Sequence, residues 1–149
     1  VIFVPIGGGS GAAGTCIAAK AINPTIKVIG VQASASPSAY ESWRQRKPVE
    51  MPDRTFAEGL ATGAAFSMPQ AILQNLLDDF VLVDDDVILK AMVWYAERAH
   101  TLAEGAGAAP LAAAWQMRDH LAGKKVGLVL SGGNTSMEHL RRALSASTP

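Results

Sequence analysis

The apolar run Val1 to Ile6 stops on Gly7-Gly8-Gly9-Ser10-Gly11 and gives way to Ala12-Ala13-Gly14. Glycine permits positive φ and lets bare N–H groups approach a ligand. A helix starting behind it adds unpaired amides and the positive end of its dipole. The chemistry open to such a stretch is anion binding, and phosphate is the fitting anion. A second polar cluster, Ser131-Gly132-Gly133-Asn134, follows the apolar run Val126 to Leu130. It places a hydroxyl at the carboxyl end of a strand, where open α/β sheets bind ligands. It is not a nucleophile elbow, because Gly-x-Ser-x-Gly is absent and no His follows in a suitable context. The competing reading is a serine that caps the last helix.

Gly9-Ser10-Gly11-Ala12-Ala13-Gly14 also spells the dinucleotide pattern G-x-G-x-x-G. That pattern wants an acidic residue at the end of the next strand, roughly 20 positions on, to hold a ribose hydroxyl. Here the next strand, Lys27 to Val31, ends on the neutral Gln32, which disfavours an NAD-binding domain. A Walker loop fails as well, since no Gly-Lys-Ser or Gly-Lys-Thr follows. A plain βα turn with nothing bound stays open beside the phosphate reading.

Other candidates carry less. Asp84-Asp85-Asp86 directly precedes a helical stretch, where acids cap amides and oppose the dipole; capping is preferred to metal binding. Glu97 and His100 make one E-x-x-H step, but di-metal carboxylate sites need that step twice, so the pair reads as solvated. His120 and His139 read as surface residues near helix ends. The single Cys16 has no disulfide partner and sits among alanines, which predicts a buried, reduced thiol and a cytoplasmic location.

These groups need a frame to position them, and the chain supplies alternating strand and helix patterns. Helices are expected over Ala12 to Ile22, Tyr40 to Arg46 with Trp43 on the apolar face, Pro69 to Leu77 and Val87 to Leu102. In the last of these, Ile88, Ala91, Met92, Tyr95, Ala99 and Leu102 face the core. A further helix opens at Glu104-Gly105-Ala106-Gly107-Ala108, runs to about Leu121 and closes on Gly123. Strands are expected at Val1 to Ile6, Lys27 to Val31, Phe80 to Val83 and Val126 to Leu130. Ala33 to Arg54 is the least regular region, and Phe56 to Gly63 is short and Gly-rich. The fold class is α/β, an open, mostly parallel sheet with helices on both faces in three layers.

With 149 residues, 49% of them hydrophobic, the chain is the size of one domain and can fill a core. Thirteen basic and thirteen acidic side chains leave no net charge, so nothing calls for nucleic acid or an anionic membrane. No run reaches the roughly 18 apolar residues of a membrane span. Val1 already lies inside a buried-type strand, which reads as a fragment or the second half of a longer polypeptide.

Taken in order, Gly7-Gly8-Gly9-Ser10-Gly11, Glu104-Gly105-Ala106-Gly107-Ala108 and Ser131-Gly132-Gly133-Asn134 resemble the threonine/serine dehydratase family. That family belongs to the fold-type II, tryptophan-synthase-β-like pyridoxal-phosphate enzymes, and the resemblance runs from Val1 to about Leu144. It implies that the amides of Gly7, Gly8, Gly9, Ser10 and Gly11 hold the phosphate of pyridoxal 5'-phosphate and that Ser131 donates its hydroxyl to the pyridine nitrogen. Glu104 would line the ring side of the pocket, with a plain helix N-terminal acid as the alternative. The implied reaction is α,β-elimination from serine or threonine, giving a 2-oxo acid and ammonia. Serine racemases share these motifs.

Two family features are missing. None of Lys20, Lys27, Lys47, Lys90, Lys124 or Lys125 has the Ser-x-Lys-x-Arg-Gly context of the Schiff-base lysine, and no Ser-Gly-Asn-His-type loop grips a substrate carboxylate. Some relatives bind a cation through acids just after the second strand, where Gln32 and Ser38 stand here, so no metal is expected. Residues 1–149 are therefore expected to be the cofactor-binding half of a catalytic domain, inactive alone. Its partners would be a small amino-acid substrate and either a second copy or the missing N-terminal half. A module that binds a phosphorylated metabolite without chemistry is the alternative.

Overall fold

The computed structural model describes residues 1–147. Strand β1 (Ile2–Pro5) leads through the glycine loop into α1 (Ser10–Ile22), and β2 (Val28–Ala33) follows. After β2 come α2 (Ser38–Gln45), a 3-10 turn at Glu58–Leu60, α3 (Ser67–Leu76) and β3 (Asp79–Val83). The chain continues with α4 (Asp85–Ala99), α5 (Gly105–Gln116), α6 (Arg118–Leu121), β4 (Gly127–Leu128) and α7 (Met137–Ser147). The four strands lie in the order β3-β2-β1-β4, and every pairing is parallel.

Side chains alternate across the sheet as strand geometry requires, and so split the core in two. Phe3, Ile29, Val31 and Val83 face a layer built by α4, α5 and α7. Val4, Ile6, Val28 and Phe80 face Ala12, Cys16 and Ala19 of α1 together with Leu73 of α3. Helices thus cover both faces, the three-layer α/β arrangement expected. Small residues let α5 lie close to the sheet: Gly105 to Pro110, Ala112 and Ala113 are all buried. Trp43 packs its ring 5.9 Å from that of Phe80, and its indole N–H donates to the carbonyl of Leu73 at 3.2 Å. Cys16 is free and wholly buried, and that burial raises its thiol pKa, outweighing the opposing pull of Lys20.

Several expectations are corrected. Helix α4 stops at Ala99, because His100 turns left-handed at φ 52° and the N–H groups of His100 and Thr101 close on the carbonyl of Tyr95. Leu102 is thereby turned out, 57% exposed, and Ala99 is exposed too, while Leu89 and Val93 take core places. Asp84 makes no side-chain cap. It accepts instead from Ser34 Oγ at 2.5 Å, and Asp85 accepts from Thr55 Oγ1 at 2.6 Å. The helix from Gly105 is interrupted at Met117, and only Gly127 and Leu128 of the fourth apolar run join the ladder.

Candidate cofactor site

The glycine loop begins where β1 ends. Pro5 pairs with Val31, the N–H of Ile6 donates to the carbonyl of Val31 at 2.7 Å, and the backbone then leaves the sheet. Gly9 takes φ 87° and stands at the N-cap of α1 with no side-chain cap. Gly7 lies so close to the carbonyl oxygen of Gly59 that a β-carbon has no room. Among the described residues, no acceptor meets the N–H groups of Gly7, Gly8, Gly9, Ser10 or Gly11. Unpaired amides at the positive end of a helix form the nest that anions occupy.

Strand β4 lies directly beside β1 and parallel to it, pairing Gly127 with Ile2 and Leu128 with Phe3. The N–H of Val129 then donates to the carbonyl of Phe3 at 3.0 Å. The glycine loop and the loop carrying Ser131 therefore leave the same, carboxyl end of neighbouring strands, which run about 4.8 Å apart. Ser131 is exposed, and its hydroxyl bonds to no described residue. Capping at the last helix falls instead to Ser136, whose Oγ accepts the N–H of His139 at 3.1 Å.

Glu104 is the N-cap residue of α5 but makes no side-chain cap. Its N–H donates to the carbonyl of Gly132 at 3.1 Å, and its carboxylate lies against the α-carbon of Gly132. Gly107 meets the same loop: a β-carbon there would stand 2.5 Å from the carbonyl oxygen of Gly132. All three motifs thus converge at one end of the sheet, with α5 packed backbone to backbone on the loop that follows β4.

Gly59 is a further contributor, which the sequence reading passed over as part of a short Gly-rich stretch. Its carbonyl abuts Gly7, and a β-carbon on it would lie 2.7 Å from that of Ala106, so residues 57–60 wedge between the glycine loop and α5. Polar side chains fasten this wedge. Ser36 Oγ accepts the N–H groups of Arg54 and Thr55 at 3.0 and 3.2 Å, and Asp85 accepts the N–H of Phe56 at 3.3 Å. Gln32, wholly buried, accepts the N–H of Tyr40 at 3.0 Å and reaches Thr62 Oγ1 at 3.4 Å, while Ser38 Oγ donates to the carbonyl of Thr62. A side chain so engaged has no acceptor to offer a ribose.

A cleft of about 230 Å³ opens beside this junction, lined by Gly59, Glu104, Gly105, Asn134, Thr135 and His139 among others. His139 is half-buried rather than free at the surface, its ring edge-on to Phe56 at 5.3 Å; His120 is exposed as expected. Glu97 and His100 are exposed, and no group of three or more His, Cys, Asp or Glu able to hold a metal occurs among the described residues. Lys20, Lys27, Lys124 and Lys125 lie toward the amino ends of the strands: Lys20 and Lys27 bind Asp78, which precedes β3, and Lys124 and Lys125 precede β4.

An anion nest and a free hydroxyl at one end of a parallel α/β sheet define a class of phosphate-cofactor proteins, and comparison with known proteins specifies it. Residues 1–132 match the family of pyridoxal-phosphate dependent enzymes, and the chain belongs to that family. It is 42% identical over 139 residues to an L-threonine ammonia-lyase of Geobacter sulfurreducens, covering 92% of this chain and 34% of that protein. It is 30% identical over 145 residues to a serine racemase of Schizosaccharomyces pombe, covering 97% of this chain and 45% of that protein. Among solved structures, the processed form of threonine deaminase isoform 2 from Solanum lycopersicum superposes with a TM-score of 0.93 at 28% identity, covering 99% of this chain and 44% of that one. The chain therefore spans less than half the length of these relatives.

Proposed function

We propose that this chain is the cofactor-binding half of an ammonia-lyase that eliminates water from serine or threonine. The observation that carries this is the juxtaposition of β1 and β4, which brings the free amides of Gly7, Gly8, Gly9, Ser10 and Gly11 to the same sheet end as the unpartnered hydroxyl of Ser131. Those residues fit the two ends of pyridoxal 5'-phosphate. The amides take the phosphate, neutralising a dianion with backbone dipoles and the end of α1. Ser131 Oγ would donate a hydrogen bond to the ring nitrogen, and Glu104, held on Gly132, would line the ring side.

When bound, pyridoxal phosphate draws electrons from the α-carbon of the amino acid it holds. A neutral hydroxyl donor leaves the ring nitrogen without a full proton, so that withdrawal is weaker than with a carboxylate partner. Weaker withdrawal would favour loss of the β-hydroxyl over return of a proton to the α-carbon, the overall outcome being a 2-oxo acid and ammonia. The lysine that anchors the cofactor is to come from the portion of the relatives this chain does not match. The isolated chain is accordingly expected to release no 2-oxo acid from L-serine or L-threonine. Turnover by residues 1–149 alone would refute this reading.

A racemase is the second reading, favoured by the identity to the fission-yeast enzyme. D-serine formed faster than pyruvate by the complete protein would select it. A module that binds a phosphorylated metabolite without chemistry is the third; calorimetry with pyridoxal phosphate against NAD tests whether the nest discriminates. The outer edge of β4 is exposed at Val126 and Gly127, and open edges seek partners. Pairing with the other half or with a second copy follows, and a stable monomer in sedimentation would argue against it. A cytoplasmic location is supported by the buried, unpaired Cys16; cell fractionation tests it. No helix among the described residues is long and apolar enough to cross a membrane.

A further inference from the structure

Three successive glycines of the glycine loop each meet one stretch of chain, residues 59–73. Gly7 abuts the carbonyl of Gly59, and a β-carbon on Gly9 would stand 3.0 Å from that of Pro69 and 3.5 Å from Leu73 Cδ1. Gly8 lies between them and is exposed. Apart from its chain neighbours, only the ring of Phe66 comes within 4 Å of where a β-carbon on Gly8 would lie, among the described residues. The atoms concerned are Cε2 at 3.5 Å and Cδ2 at 3.6 Å, so the ring presents its edge to the loop. Phe66 belongs to neither core cluster and is 58% exposed. Its place is nevertheless fixed, because it is the N-cap residue of α3 and its carbonyl accepts the N–H of Gln70 at 3.1 Å.

The edge of an aromatic ring carries partial positive charge and its face partial negative charge. An edge turned to the loop therefore favours an anion held there. The ring also displaces water, and weaker screening strengthens the pull of backbone amides on a phosphate. We propose that Phe66 is a positioning residue that closes the outer side of the amide nest and raises its affinity for a phosphate monoester. This rests on the reading of residues 7–11 as a phosphate cradle.

Calorimetry on the 149-residue chain tests it with pyridoxine 5'-phosphate and pyridoxine, which lack an aldehyde and so form no bond to lysine. Wild type is expected to prefer the phosphorylated form. Phe66→Ala weakens that binding about three- to tenfold and leaves the response to pyridoxine unchanged. Phe66→Tyr keeps the ring edge and binds as wild type does, a rescue that a merely structural role does not predict. Phe66→Leu keeps apolar bulk without the edge and falls between; should Phe66→Ala misfold by circular dichroism, the Leu variant decides by binding more weakly than wild type. Equal binding by wild type and the folded Ala or Leu variant overturns the proposal and leaves the cradle standing, as does a Tyr variant as weak as the Ala variant. A wild type with no preference for the phosphorylated form overturns both.

Discussion

Glu104 and Gly132 are joined twice: the Glu104 N–H donates to the Gly132 carbonyl at 3.1 Å, and the Glu104 carboxylate rests on the Gly132 α-carbon. Helix α5 and the loop carrying Ser131 are therefore fastened to each other. Gly132→Ala would push against a carboxylate that can swing aside, whereas Gly107→Ala would push against the Gly132 carbonyl, 2.5 Å from the new β-carbon, which cannot. Overpacking of this kind costs about 1–3 kcal/mol. Urea midpoints should place Gly107→Ala as the more damaging of the two.

The glycine loop offers an internal contrast. Gly7 is hemmed in by the carbonyl of Gly59, while a β-carbon on Gly11 meets nothing within 4 Å. Gly11 sits in the first turn of α1, so Gly11→Ala should hold or raise stability by up to about 1 kcal/mol through helix propensity and a less flexible unfolded chain. Gly7→Ala should lower it by about 1–3 kcal/mol. Thermal unfolding of both variants checks the ordering.

Ser131 is exposed and bonds to no described residue, so removing its hydroxyl should leave the fold as it was. Ser131→Ala is expected to keep its unfolding midpoint within about 0.5 kcal/mol of wild type. In the complete enzyme it should lose about tenfold or more in kcat/KM for L-threonine and shift the cofactor absorbance. Unchanged spectrum and kinetics would dissociate this hydroxyl from the ring.

Asp78 provides a pH-dependent anchor at the opposite end of the sheet. Burial pushes its carboxyl up, but bonds from Lys20 at 2.5 Å, the Val28 N–H at 2.9 Å and Lys27 at 2.9 Å outweigh this and hold it at about 2. A depressed folded-state value means the stabilisation is complete above the unfolded value near 3.8 and disappears as pH falls through about 2. Lys27 is 64% exposed, so water screens its share, and Asp78→Asn should cost only about 1 kcal/mol at pH 7. Urea titrations of the two proteins should converge between pH 4 and pH 2, since the difference follows the pKa of one carboxylate.

The backbone frame was legible because strands and helices here carry unmixed signals. Val28 to Val31 and Phe80 to Val83 are short apolar runs between turn residues, and both became central or paired strands. The apolar rhythm of α4, by contrast, continues past its end: Leu102 keeps helical spacing, but the left-handed turn at His100 breaks the phase and exposes it. Val126 to Leu130 is apolar throughout, yet among the described residues it pairs with β1 alone, through Gly127 and Leu128 and one further N–H bond from Val129. In the candidate site, Gly7 to Gly11 and Ser131 were marked by local composition, whereas Glu104 was singled out by the resemblance of its motif. Gly59 was marked by neither, because its importance lies in touching Gly7 and Ala106, contacts made by folding rather than by neighbours in the chain. Asp84 and Asp85 looked like helix caps and proved to be loop fasteners, a choice that depends on where Ser34 and Thr55 arrive.

The all-small face of α5 has a bearing on how this protein can diversify. Gly105 touches Ala57, Ala106 touches Gly59 and Gly107 touches Gly132, so any enlargement along that edge displaces backbone on two sides at once. Such a helix works as a fixed datum against which both loops are gauged. Changes that retune the pocket are therefore expected in side chains that face solvent near the glycine loop, such as Phe66, which stands 3.5 Å from where a β-carbon on Gly8 would lie, and not in the element that sets the spacing of the two loops.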